Sequence, residues 1–286
     1  MNVLSLFDGM STGQRALSNI GIKVEKYYAA EIKRHAIRLT QHHFPDTIQL
    51  GNILNWEEWD IDYSKIDLIL SGSPCKDLSI AGKRKGLKGD NSGLFYVFID
   101  ILNYVKKFNP NVIFLQENVA SANIQEVNKI SKELGVLPVK INSSLLTAQN
   151  RNRYYWSDGN AKRVGFFGEL QTNIPQPKDL KIKLQDILTS GKTDRLKARA
   201  ILESESRPPI SQASLLKRYR SIGMINVVFE EGYVRSLNKT ELCRLQGFPD
   251  NYCDILARNK AASLLGDGWT LSVIEHIFKH ILKEEE

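Results

Sequence analysis

Four short runs that read as strands punctuate the first half of the chain: NVLSLF (2–7), KVEKYYAAE (23–31), KIDLILSG (65–72) and NVIFLQENV (111–119). The stretches between them carry apolar residues at helical spacing. Parallel strands need a crossover long enough to hold a helix, so this alternation specifies an α/β fold with a mostly parallel sheet covered by helices on both faces. TGQRALSNIG (12–21) reads as a helix stopped by Gly21, and IKRHAIRLTQHHF (32–44) as one ended before Pro45. LFYVFIDILNYVKKF (94–108) and SANIQEVNKISKELG (121–135) supply two more helices, and PVKINSSLLT (138–147) a further strand.

After Trp156 the texture changes to short Pro-, Lys- and Ser-containing pieces such as NIPQPKDLKIK and SESRPPISQ. Periodic structure returns with KTELCRLQGF and with KAASLLGDGWTLSVIEHIFKHILK. The expected division is therefore a main domain over 1–156, a small inserted domain over 157–234, and a return segment with a C-terminal helix over 235–286.

Residues 178–220 hold eleven Lys/Arg against five Asp/Glu, nearly the whole +7 imbalance of the chain. Such a local excess is the footprint of a surface for a polyanion, the alternative being an ordinary solvated face. No apolar run approaches the ~18 residues of a membrane span, and MNVLSLFDG lacks the features of a signal peptide, so a cytoplasmic protein is expected. Cys75, Cys243 and Cys253 form no CxxC pair and no His/Cys ligand spacing, which favours neither disulfides nor a metal site.

In open α/β sheets ligands sit beyond the carboxyl ends of strands. FDGMSTG follows the first strand; Gly9 and Gly13 allow a tight turn and close approach, but the spacing is neither GxGxxG nor a P-loop. Glu31, eighteen residues past Gly13, ends the second strand, where a carboxylate can accept both hydroxyls of a ribose. Cys75 follows Pro74 at the end of DLILS, with Lys76, Lys83, Arg84, Lys85 and Lys88 near in sequence to favour thiolate. Glu117, in QENV, ends the neighbouring strand. A thiol beside a carboxylic acid suits covalent addition to a conjugated ring whose nitrogen takes up a proton. QNRNRYYW (149–156) adds Arg151 and Arg153 on an extended chain, suited to carbonyl or phosphate oxygens.

Taken in this order, FDGMSTG, GSPCKDLS, QENV, QNRNRYYW, RSLNKTELCRLQGFPDNY and LLGDGWTLSVI resemble the motifs of the cytosine-C5 DNA methyltransferases, most nearly the catalytic domains of the de novo type. The resemblance covers nearly all of the chain outside 157–234. It implies a Rossmann-like class I methyltransferase fold with a target-recognition domain, and a stand-alone prokaryotic or phage enzyme acting with the nucleoid. Departures are Asn52 where the family usually has Asp, Asp267 after Gly266, and Asn238-Lys239 in place of Thr-Pro.

The family's chemistry, carried over, makes Cys75 the nucleophile on C6 of cytosine. Glu117 protonates or hydrogen-bonds N3, and Arg151 and Arg153 steady the ring carbonyl and the cysteine loop. The cofactor implied is S-adenosyl-L-methionine, held by Phe7, Asp8, Gly9, Met10, Ser11, Thr12, Glu31, Ile32, Asn52, Ile53, Asp267, Gly268 and Trp269. The partner implied is double-stranded DNA, met by Lys83, Arg84, Lys85, Lys88 and Arg235, with the target nucleotide flipped from the stack. Self-association through the catalytic domain is a further implication of the resemblance; a membrane or a metal is not. Two other readings stand beside this one: a cytosine-C5 methyltransferase of transfer RNA, and a non-catalytic DNA-binding member of the fold.

Overall fold

A computed structural model describes residues 1–73, 93–166, 168–221 and 225–282. The chain divides into two compact units, one of 1–141, 152–176 and 275–286, the other of 142–151 and 177–274.

The first unit is organised by a seven-stranded sheet. Its strands are β1 (Asn2–Leu6), β2 (Lys26–Ala30), β3 (Ile48–Gln49), β4 (Leu68–Ser71), β5 (Ile113–Val119) and β6 (Val139–Asn142). After the short β7 (Gln149–Asn150), which belongs to the other unit, β8 (Asn152–Trp156) completes it. The order is β3-β2-β1-β4-β5-β8-β6, with β1 to β5 parallel and β8 antiparallel to β5. Strand order reverses between β1 and β4, and the carboxyl ends there form the crevice where doubly wound sheets take ligands.

Register explains the core. Leu4 lies opposite Tyr28 and Ile69, and Ile69 opposite Phe114, so these side chains share one face. They form one apolar cluster with Trp156 and with Phe95, Phe98, Ile101, Leu102 and Val105 of α3 (Leu94–Phe108, the third helix). Two helices precede it, α1 (Thr12–Asn19) and α2 (Arg34–His43). In α4 (Ile124–Leu134) the buried positions are Val127, Ile130, Ser131 and Leu134, one stripe of a 3.6-residue period. The Asn123 side chain caps that helix by accepting from Glu126 N–H at 2.9 Å, and Gly135, at φ +70°, closes it.

The run 138–147, expected to be one strand, stops at Asn142. The Asn142 side chain accepts from Ser144 N–H at 3.0 Å and turns the chain into a 3₁₀ turn over Ser143–Leu145. The hairpin of β9 (Ala161–Val164) and β10 (Glu169–Thr172) belongs to the first unit, although 157 was the expected boundary. The reason is main-chain bonding: Leu137 donates to Leu170 and accepts from Thr172, at 2.8 and 2.9 Å.

The second unit pairs β7 in parallel with β11 (Ala198–Arg199). A small core of Leu215, Tyr219, Ile225 and Val227 joins α5 (Gln212–Ser221) to the hairpin of β12 (Val227–Glu230) and β13 (Tyr233–Ser236). Next come α6 (Lys239–Leu245), α7 (Arg258–Asp267) and α8 (Leu271–Ile281), whose residues from Glu275 onward count with the first unit. Residues 235–274 thus cluster with 177–234, where the sequence suggested a return to the main domain. The contact behind this is polar: Glu241 of α6 accepts from Thr189 N–H and hydroxyl at 3.0 and 2.9 Å.

No helix among the described residues is long and apolar enough to cross a membrane. Among the same residues no group of three or more His, Cys, Asp or Glu is arranged to hold a metal ion.

Candidate functional site

The segment after β1 alternates left-handed residues: Phe7, Gly9 and Ser11 have φ of 59°, 61° and 56°. Two of the three carry a Cβ, which costs about 1 kcal/mol or more per residue and persists only where neighbours hold it. Asp8 is the holder. Its carboxylate accepts from Ser5 Oγ at 2.7 Å, Ser11 Oγ at 2.8 Å and Tyr27 Oη at 2.9 Å, and its own N–H reaches Ala30 O at 3.2 Å. Withdrawal from water raises the Asp8 pKa, an effect that the three hydroxyls oppose. Met10, Ser11 and Thr12 are buried, and Gly13 packs so tightly that a Cβ there would lie 2.3 Å from Leu70 Cδ1 and 3.1 Å from the Tyr27 hydroxyl.

Glu31 stands beside this loop. One carboxylate oxygen accepts from Gly9 N–H, the other from the N–H groups of Ile32 and Lys33, all at 2.8 Å. The carboxylate is therefore fixed by main chain on both sides, with the Ile32 side chain next to it 68% exposed. Asn52 is exposed, and its side chain accepts from Leu54 N–H at 3.1 Å to cap the turn Ile53–Glu58; Ile53 is buried. The amide oxygen thus performs the capping that a carboxylate would perform at this position.

At the carboxyl end of β5, Glu117 pairs with Arg153 of β8, Nε to Oε1 at 2.8 Å, with both side chains largely covered. Gln116, on the opposite face of β5, donates to Ser73 Oγ at 3.1 Å and to the Glu117 carbonyl at 2.7 Å. This ties the acid's strand to the residue preceding Pro74-Cys75. Cys75, Lys83, Arg84, Lys85 and Lys88 lie outside the described residues.

Arg151 and Arg153, two residues apart, belong to different units. Arg151 is 3% exposed and donates to three carbonyls of the second unit: Ile201 at 3.0 Å, Gly266 at 3.0 Å and Gly268 at 2.8 Å. It is a clamp on the turn Gly266-Asp267-Gly268 that leads into Trp269. Asp267 is exposed at the end of α7, and Gly268 and Trp269 are half-buried. Gln149 works alongside, donating to Leu245 O at 3.1 Å and accepting from Ile201 N–H at 2.7 Å. Gln246 accepts from the Thr270 hydroxyl at 2.8 Å and donates to Leu265 O.

Arg235, expected to meet DNA, is engaged within its own unit. It donates to Glu230 at 2.8 Å and through two nitrogens to Glu241, each at 2.8 Å, as well as to the Ser190 hydroxyl at 3.1 Å. Burial pushes the Glu241 carboxyl up, but Arg235 and the N–H groups of Thr189 and Asn238 outweigh it, and the net shift is down. A guanidinium so committed is a staple of the fold.

Tyr27, Gln116 and Gln246 were not singled out by sequence. The available signal was a polar side chain inside an apolar strand, as at Ser5 in NVLSL and Gln116 in IFLQENV.

The family described as C-5 cytosine-specific DNA methylase matches residues 1–214. The chain belongs to this family. The orphan methyltransferase M.SPRI of Bacillus phage SPR is 29% identical over 207 residues, covering 67% of this chain and 43% of that protein. The chain therefore spans under half the length of that phage relative. The type II methyltransferase M1.ScrFI of Lactococcus lactis subsp. cremoris is 25% identical over 312 residues, covering 98% of this chain and 78% of the relative. Among solved structures, the Entamoeba histolytica methyltransferase EhMeth superposes with a TM-score of 0.68 at 15% identity, over 99% of both chains, a likeness of fold. The mostly parallel sheet is the Rossmann-like methyltransferase sheet that the resemblance implied.

Proposed function

We propose that the chain is a DNA (cytosine-5-)-methyltransferase, moving a methyl group from S-adenosyl-L-methionine to C5 of a cytosine flipped out of duplex DNA. The observation that carries this reading is the Glu117–Arg153 pair at the carboxyl edge of the sheet, in a chain of this family. Its strand is linked through Gln116 to Ser73, two residues before Cys75.

The residues around the Phe7–Thr12 loop fit the cofactor by their donor set. Glu31 offers a fixed carboxylate suited to vicinal hydroxyls, and the exposed Ile32 side chain an apolar surface for a purine. Asn52 and Ile53 would border that purine. Bound there, S-adenosyl-L-methionine supplies a methyl group made electrophilic by its sulfonium.

The chain's own residues answer a different difficulty, the weak nucleophilicity of cytosine C5. Addition of the Cys75 thiolate to C6 forms an S–C6 bond and moves the C5=C6 electron pair onto C5, as Glu117 donates a hydrogen bond or proton to N3. Arg153 holds the Glu117 carboxyl in place for this. Once C5 is methylated, loss of its proton and departure of the thiolate restore the ring. Flipping the nucleotide costs about a few kcal/mol, which phosphate contacts from 81–93 and from the basic 178–220 segment would offset.

The test is covalent trapping on duplex DNA containing 5-fluorocytosine, where fluorine at C5 blocks the final elimination. Wild-type protein with cofactor should give a denaturant-resistant adduct, and Cys75→Ser none. An adduct that persists in Cys75→Ser, or methylated cytosine in its products by bisulfite sequencing, would overturn the assignment.

A further inference from the structure

The hydroxyl of Tyr27 is the least expected partner in the loop after β1. Tyr27 and Tyr28 are adjacent in β2, so they face opposite sides of the sheet. Tyr28 enters the large apolar cluster. Tyr27, 2% exposed, instead reaches across β1 to place its hydroxyl 2.9 Å from Asp8 Oδ1. Its route is kept open by Gly13, where any Cβ would come within 3.1 Å of that oxygen. A buried tyrosine hydroxyl commonly finds some acceptor. Here the acceptor is a carboxylate shared by three hydroxyls from three different places: Ser5 in β1, Ser11 in the loop and Tyr27 in β2. The segment between them is the one that holds Phe7, Gly9 and Ser11 in left-handed conformations.

We propose that Tyr27 is a positioning residue for the cofactor loop: through Asp8 it holds Phe7–Thr12 in the left-handed arrangement that receives the ligand, without touching the ligand itself. The proposal rests on the reading of that loop as the S-adenosyl-L-methionine site. Tyr27 remains a donor at neutral pH, since burial and the neighbouring Asp8 carboxylate both push its own ionisation upward. Its bond to Asp8 is charge-assisted and leans against the tendency of burial to protonate that carboxylate.

The test compares wild type, Tyr27→Phe and, as a control for loss of a hydroxyl from the same strand, Tyr28→Phe. In the protein without ligand, amide hydrogen exchange of Gly9–Thr12 should accelerate in Tyr27→Phe and not in Tyr28→Phe. The Kd for S-adenosyl-L-methionine by calorimetry should rise about tenfold, with apparent KM rising in parallel and kcat falling less than about twofold. The acid limb of cofactor binding should move to higher pH, because Asp8 loses a donor that lowers its pKa; a role confined to packing would leave this limb in place. If Tyr27→Phe does not fold, Ser11→Ala removes a second donor to Asp8 from outside the sheet and should move the exchange and the pH limb in the same directions. Unchanged exchange, affinity and pH limb in a folded variant overturn the proposal. Wild type that binds no S-adenosyl-L-methionine overturns the reading of the site instead, and the exchange measurement still decides whether Tyr27 holds the loop.

Discussion

Glu117 and Arg153 meet diagonally across the antiparallel pair β5–β8. Glu117 lies opposite Tyr155 and Val119 opposite Arg153, so the acid and the arginine share a face. Alternation sends Gln116 and Trp156 to the other face, toward the apolar cluster. A slip of one residue in this register would carry Arg153 into that cluster and leave Glu117 without its guanidinium.

The pair should therefore behave as one unit in catalysis. Arg153→Ala and Glu117→Gln should each lower kcat by about 100-fold or more, and the double variant should be little worse than the poorer single one. Single-turnover methylation rates of the four proteins close the cycle. Additive losses would show that the two side chains act separately.

Arg151 should act on stability. Two of its three carbonyl partners are buried and the third partly so, and a lysine ammonium cannot reproduce the planar fork that reaches them. Arg151→Lys should cost about 2–4 kcal/mol in urea unfolding. The Trp269 fluorescence environment should change with it, because Arg151 holds the Gly268 carbonyl immediately before that residue.

Arg235 separates a staple from a phosphate contact. Its removal strands Glu241, whose side chain is fully buried. Arg235→Ala should cost about 3–5 kcal/mol of stability, while the salt dependence of DNA binding keeps its slope. Glu241 is held below its usual value of 4.5, so its contribution to stability is present above that value and lost as pH falls through the depressed one. In Arg235→Ala this acid loss should shrink, as seen by thermal unfolding across pH 3 to 7.

Glu205 has the opposite sign. It is 1% exposed; one carboxylate oxygen accepts from Asn226, and the other has no hydrogen-bond partner among the described residues. Burial raises its pKa above 4.5, against the Asn226 N–H and the charges of Arg258 and Arg218. The stability it contributes is thus complete below 4.5 and lost as pH rises through the raised value. Tm of Glu205→Gln relative to wild type should move in favour of the variant between about pH 4.5 and 7. A difference that does not vary with pH would refute a burial-driven shift.

Much of the fold was legible because its signal is local. The helix expected over 94–108 is Leu94–Phe108, and the apolar runs at 2–7, 65–72 and 111–119 contain β1, β4 and β5. The two-residue β3 is too short to carry a period, and the strand expected to 147 ended at Asn142 because one side-chain oxygen offered the backbone a turn. The domain boundaries moved for the same kind of reason: Leu137 bonding to β10 and Glu241 bonding to Thr189 are choices of partner across long sequence separations.

Sequence by itself determined the strands β1, β2, β4 and β5, and so which residues stand at or near their carboxyl ends: Asp8, Glu31, Glu117. Periodicity and turn chemistry are properties of neighbouring residues, and these positions follow from them. Only the tertiary structure decided that Arg153 meets Glu117, that Asp8 answers to Tyr27, and that Arg235 is bound to Glu241. Register and burial bring together groups far apart in the chain, and a buried polar atom takes whichever partner that packing leaves within about 3 Å.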